Sequence, residues 1–132
     1  DVGVDVGVGV GVDVRVKFIL SDSGKGHGDV VWAASRHISN LFADPIKCSK
    51  LIKPEVPPAP TTDPHPLFGK RFLELGAGAA IPSWTALWCG AHVLSTDQAI
   101  PDRIRCMAEC AERNLREIRK QQQQQQPDKH DP

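Results

Sequence analysis

The 132-residue sequence has no excess of charge of either sign, with 16 lysines and arginines against 16 aspartates and glutamates. Whole-chain electrostatics therefore give no pull toward nucleic acid or an anionic membrane surface. A signal peptide and a regular cysteine framework are also missing, so Cys48, Cys89, Cys106 and Cys110 read as reduced thiols of a cytoplasmic protein. Cys106 and Cys110 fall on one helix face, but no second His/Cys pair stands at ligand spacing, and they read as small buried residues rather than half a zinc site. No charge falls between Glu74 and Asp97, yet Gly, Pro, Ser and His interrupt that run, so no membrane span is expected. Gly24-Lys25-Gly26-His27-Gly28 lacks the Gly-Lys-Ser/Thr ending of a phosphate loop and reads as a connector. The length allows one domain at most, and low-complexity ends shorten the part able to build a core.

Asp1 opens the chain without a methionine, which suggests a fragment or a processed start. Residues 1–28 read as low-complexity sequence with an edge strand. Val alternates with Gly or Asp through Val16, a period-2 pattern that glycines weaken, and Arg15 to Leu20 follows as the strand. Val31 to Ala43 should be a helix, with Val31, Ala34, Ile38, Leu41 and Phe42 at helical spacing. Trp32 at its start is either a core anchor or a ring bordering a ligand site. Residues 44–66 hold six of the prolines between Pro54 and Pro66 and read as a linker or extended insertion. Pro101 to about Lys120 should be a helix lined on one side by Ile104, Met107, Ala111, Leu115 and Ile118, with residues 121–132 as a disordered Gln-rich tail.

The informative stretch is Phe72-Leu-Glu-Leu-Gly-Ala-Gly-Ala-Ala-Ile-Pro-Ser83. It reads as a short buried strand, a glycine turn, and a helix that Pro82 can open because that position has no amide to waste. Gly76 and Gly78 permit positive φ and close approach of a ligand, while the helix start supplies amides. The helix, Ile81 to Cys89, carries Trp84, Leu87 and Trp88 on one apolar face. A second strand, Ala91 to Thr96, delivers Asp97 about 20 residues beyond the glycines, where an acid meets ribose hydroxyls in a Rossmann-like fold. Such geometry alone does not choose among nicotinamide, flavin and adenosyl cofactors. Glu74 at the strand end suits a ligand with a cationic amino group.

Gly69-Lys-Arg-Phe-Leu-Glu-Leu-Gly-Ala-Gly-Ala-Ala-Ile-Pro-Ser83, followed by Cys89-Gly-Ala-His-Val-Leu-Ser-Thr-Asp97, resembles the class I, seven-β-strand protein-lysine methyltransferases once labelled nicotinamide N-methyltransferase-like. Fungal enzymes acting on a translation elongation factor are the most similar. Val31-Trp-Ala-Ala-Ser35 resembles the family's Trp-containing helix start, and Asn114 lies where the family carries an asparagine. The resemblance covers roughly residues 29–114. It implies an α/β, partial Rossmann-like class I methyltransferase fold over 29–120, comprising the N-terminal portion of a doubly wound sheet. It also implies S-adenosyl-L-methionine as cofactor, contacts from Trp32, Gly76, Ala77, Gly78 and Asp97, and a protein substrate such as a translation factor. The remaining strands and the acceptor side would lie beyond Pro132, so the resemblance names no catalytic residue and implies a chain too short to act alone. Ala80 stands where the family usually has a third glycine, and Gln98 where it often has an aromatic. The alternatives are a non-catalytic binding module and a nicotinamide-dependent Rossmann oxidoreductase fragment.

Overall fold

A computed structural model of the chain describes residues 2–6, 14–18, 31–52 and 65–125. Within them the protein is mixed α/β. The Val-rich start forms strands despite its glycines: β1 (Val2–Val6) pairs antiparallel with β2 (Val14–Phe18), and Val4 stands opposite Val16. Period-2 valines suit a pleated ribbon with one covered face. Val16 is 1% exposed and packs in a cluster with Ile81, Trp84, Met107 and Cys110. The low-complexity start thus contributes to the core. The Gly24–Gly28 connector and the polar end from residue 126 lie outside the described residues.

The helix expected from Val31 begins two residues later as α1 (Ala33–Ala43) and buries Ser39, Phe42 and Ala43, leaving Ile38 substantially exposed. The proline-rich segment expected as a linker is corrected at its start, where α2 (Pro45–Leu51) forms. The local signal was present in Asp44-Pro45. The Asp44 carboxylate accepts the amides of Ile46 at 3.0 Å and Lys47 at 3.1 Å, and proline is suited to the first helical position. The stretch holding five of the six clustered prolines, 53–64, is outside the described residues.

The second sheet is β3 (Arg71–Leu75) parallel to β4 (His92–Thr96), with Leu73 opposite Leu94, and α3 (Ile81–Trp88) is the crossover that a parallel pair requires. Phe72, Glu74, Val93 and Ser95 are partly buried, and α3 packs on both strands. The alternate residues Leu73, Leu75 and Leu94 are 58%, 74% and 62% exposed, so one face of the sheet is bare among the described residues. Residues 81–86 of α3 are all buried, which makes this an enclosed helix rather than one with a single apolar side. It separates two clusters: Ile81 and Trp84 pack toward β2 and α4, whereas Ala86 packs with Phe42, Cys48, Leu67 and Ala91.

Helix α4 (Pro101–Gln125) continues beyond the expected end at Lys120, as glutamine's good helix propensity permits. Its buried stripe differs from the apolar one read in the sequence. Ile104 and Leu115 are exposed to 44% and 37%, while Arg103, Met107, Cys110 and Asn114 point inward. The inward polar residues have partners that hold them there. Asn114 accepts Trp88 Nε1–H at 2.9 Å and donates to the Cys110 carbonyl at 2.8 Å, tying α4 to the end of α3.

Candidate binding site at the glycine turn

Residues 76–80 turn the chain from β3 into α3 with three positive φ values, at Gly76 (65°), Gly78 (54°) and Ala80 (54°). A left-handed conformation costs an alanine about 1–2 kcal/mol, which identifies the physical use of a third glycine at position 80. Ala80 is fully buried, and its amide donates to the Ala77 carbonyl at 2.7 Å. The Ala77 amide continues the sheet ladder by donating to Thr96 at 2.9 Å. A Cβ built on Gly76 would meet nothing within 4 Å, so the turn is open to approach there.

Asp97 binds an amide of the turn and Glu74 an amide of the helix that follows it. Asp97, immediately after β4, accepts the Gly78 N–H on Oδ2, and on Oδ1 it accepts the Gln98 N–H at 2.6 Å and Arg103 Nη1 at 3.1 Å. Asp97 and Arg103 form an ion pair with each side chain only 5% exposed. Burial alone would push the Asp97 carboxyl up, but the amides of Gly78 and Gln98 and the Arg103 guanidinium together hold it below the usual carboxylate range.

Glu74 reaches the start of α3. Its Oε2 accepts the Ser83 amide at 3.1 Å and the Ser83 hydroxyl, and that hydroxyl in turn accepts from Ser95. Ala80, at the helix cap, has no side-chain oxygen to offer, so a carboxylate from the preceding strand performs the capping. Of the Glu74 carboxylate, expected to suit a cationic ligand, one oxygen is committed to the helix. Burial raises the Glu74 carboxyl above its ordinary value, the Ser83 hydrogen bonds oppose that rise, and the Asp97 charge adds to it. A folded value above the unfolded one means that this group's contribution is fully present below the unfolded value and is lost as pH rises through the folded value. Glu74→Gln keeps an acceptor for Ser83 without a buried charge, and it is expected to flatten that decline and raise neutral-pH stability. Urea melts of both proteins at pH 4 to 8 check this; an unchanged slope would contradict the role of the charge.

Of the sequence-predicted site residues, Gly76, Ala77, Gly78 and Asp97 are brought together by the β3–turn–α3–β4 unit. Trp32 stands at the N-terminal cap of α1 and is 52% exposed, which rules out the core-anchor reading of it. Arg103 was not anticipated. Its signal was a basic residue in the first turn of a helix, against the dipole, six positions after the acid. No protein-family model matches this chain, and no curated protein matches it.

Proposed function

We propose that the glycine turn and Asp97 form the S-adenosyl-L-methionine site of a Rossmann-like class I methyltransferase fold, acting on a protein lysine or N-terminal amine. The observation that carries the reading is the Asp97 carboxylate seated on the Gly78 amide at the carboxyl end of two parallel strands. An acid in that position is suited to ribose hydroxyls. The nicotinamide alternative needs turn amides for a pyrophosphate. Here the turn amide of Gly78 and the helix-start amide of Ser83 go to carboxylates, and the Glu74 carboxylate beside the helix start repels a diphosphate. A nucleoside whose other end is a zwitterionic, sulfonium-bearing amino acid avoids that repulsion.

When bound, this cofactor supplies an electrophilic methyl group. The chain's own contribution is to hold the nucleoside: Gly76 leaves space for close approach, Asp97 accepts hydroxyl hydrogens, and half-exposed Trp32 offers an aromatic border. The resemblance to elongation-factor methyltransferases supports a protein acceptor, with catalysis by positioning and desolvation of an amine.

Gly78→Val would force a β-branched residue into φ 54° and place its side chain at the turn, so binding is expected to fall at least about 100-fold. Calorimetric titration with S-adenosylmethionine is the measurement, with circular dichroism as a folding check. Equal affinity in a folded variant would remove the turn from the site.

A further inference from the structure

We propose that Arg103 is a displaceable internal ligand of Asp97, occupying the acceptor capacity that a ribose diol requires. This rests on the nucleoside-binding reading above. An ionised carboxylate has about four lone-pair sites. Three hydrogen bonds already end on Asp97, from the Gly78 amide, the Gln98 amide and Arg103 Nη1. One site is left, whereas a vicinal diol donating through both hydroxyls needs two.

The three donors differ in their ability to leave. Gln98 is the next residue in the chain, and the Gly78 amide is fixed within a turn closed by the Ala77-to-Thr96 and Ala80-to-Ala77 hydrogen bonds. Arg103 reaches the acid through a side chain from the first turn of α4, tied to it neither by chain adjacency nor by the hydrogen bonds that close the turn. Helix preference does not explain its inward position, because a cation in a first turn opposes the dipole. The pair is also withdrawn from solvent, with both side chains 5% exposed. Donation by both hydroxyls of a diol therefore requires the guanidinium to withdraw, and the second hydroxyl replaces its hydrogen bond. In the unliganded protein the same contact keeps a buried carboxylate compensated and the turn shaped.

This arrangement predicts a specific pattern of affinities. With Arg103 in place, adenosine gains little over 2′-deoxyadenosine, because the second hydroxyl is used only after the arginine is expelled. Arg103→Met removes the competitor. It is expected to tighten adenosine by about tenfold, roughly one charge-assisted hydrogen bond, and to widen the adenosine to 2′-deoxyadenosine ratio by a similar factor. Arg103→Lys, which keeps the charge without the planar fork, should show a smaller gain and serves if the methionine variant does not fold. In the wild-type protein, saturating adenosine should shift the Arg103 Nε–H resonance in a proton–nitrogen correlation spectrum.

Calorimetry with adenosine, 2′-deoxyadenosine and S-adenosylmethionine separates the outcomes. Tighter adenosine with a widened ratio supports the displacement; if S-adenosylmethionine then shows no advantage over adenosine, the displacement stands and the methyl-donor reading falls. Weaker or unchanged adenosine binding in a folded variant, an unmoved Arg103 resonance at saturation, or no adenosine binding by any of the proteins overturns the displacement. S-adenosylmethionine binding by wild type would still preserve the broader reading.

Discussion

Asp97→Ala is expected to lower the stability of the protein by about 3–5 kcal/mol, before any effect on a ligand is considered. The substitution removes the carboxylate from a guanidinium that is 5% exposed and takes the acceptor from the Gly78 and Gln98 amides. A loss of that size is a large part of a domain's usual net stability of about 5–15 kcal/mol. Urea denaturation of Asp97→Ala, Arg103→Met and the double variant tests the argument, because the double variant should recover much of the loss once no buried charge is stranded. Strictly additive losses would show that the pair is not coupled. Ligand affinity is better read on Asp97→Asn, which preserves shape and one acceptor and is expected to weaken S-adenosylmethionine by one to two decades, or roughly 1.5–3 kcal/mol. The pH dependence has a definite sign. With the folded value depressed, the stabilisation from Asp97 is present above the unfolded value of about 3.9 and is lost as pH falls through the folded value. Asp97→Asn should accordingly have a shallower acid limb.

The elements around the turn were legible because their signals are local. Gly76 and Gly78 adopt the positive φ that their lack of a Cβ allows, Pro82 sits in the first turn of α3, and the apolar segments on either side form the parallel pair. What was not legible depends on partners distant in sequence. Glu74 looked like a strand-end acid awaiting a ligand, and only the folded crossover brings it onto Ser83 nine residues later. The stripe of α4 was misread because its inward residues include Arg103 and Asn114, which no apolar periodicity selects; Asp97 and Trp88 draw them in. The same limit explains α1, where Ser39 is buried while Ile38 is not. Its packing against α3, not the apolar spacing, decides which side faces inward. At Ala80 the sequence marked only the absence of a third glycine, and the backbone shows what that glycine would be for, since the residue is left-handed.

The 132-residue chain on its own is expected to give no methyl transfer and to self-associate. The bare side of the β3–β4 pair supplies the physical reason. Leu73 and Leu94 stand directly opposite one another, Leu75 lies beside them, and all three are more than half exposed. Parallel sheets are ordinarily covered on both faces. Fully burying a leucine contributes about 1.5–3 kcal/mol, so covering the three amounts to several kcal/mol, comparable with the net stability of a domain. Surface this apolar favours contact between copies at the concentrations used for assay. On the proposed reading an acceptor amine must also be held in line with the methyl donor, whereas Glu74 and Ser83 bond each other and Asp97 is shared between the turn and Arg103. The checks are radiolabelled methyl transfer to a lysate and sedimentation of the wild type beside Leu73→Lys/Leu94→Glu. The double variant should remain monomeric to much higher concentration with a nearly unchanged melting temperature, because substitutions at exposed positions typically alter stability by only about 0.5 kcal/mol. Monomeric wild-type protein that labels a lysate efficiently would show that the open leucine face neither drives association nor signals an incomplete acceptor side.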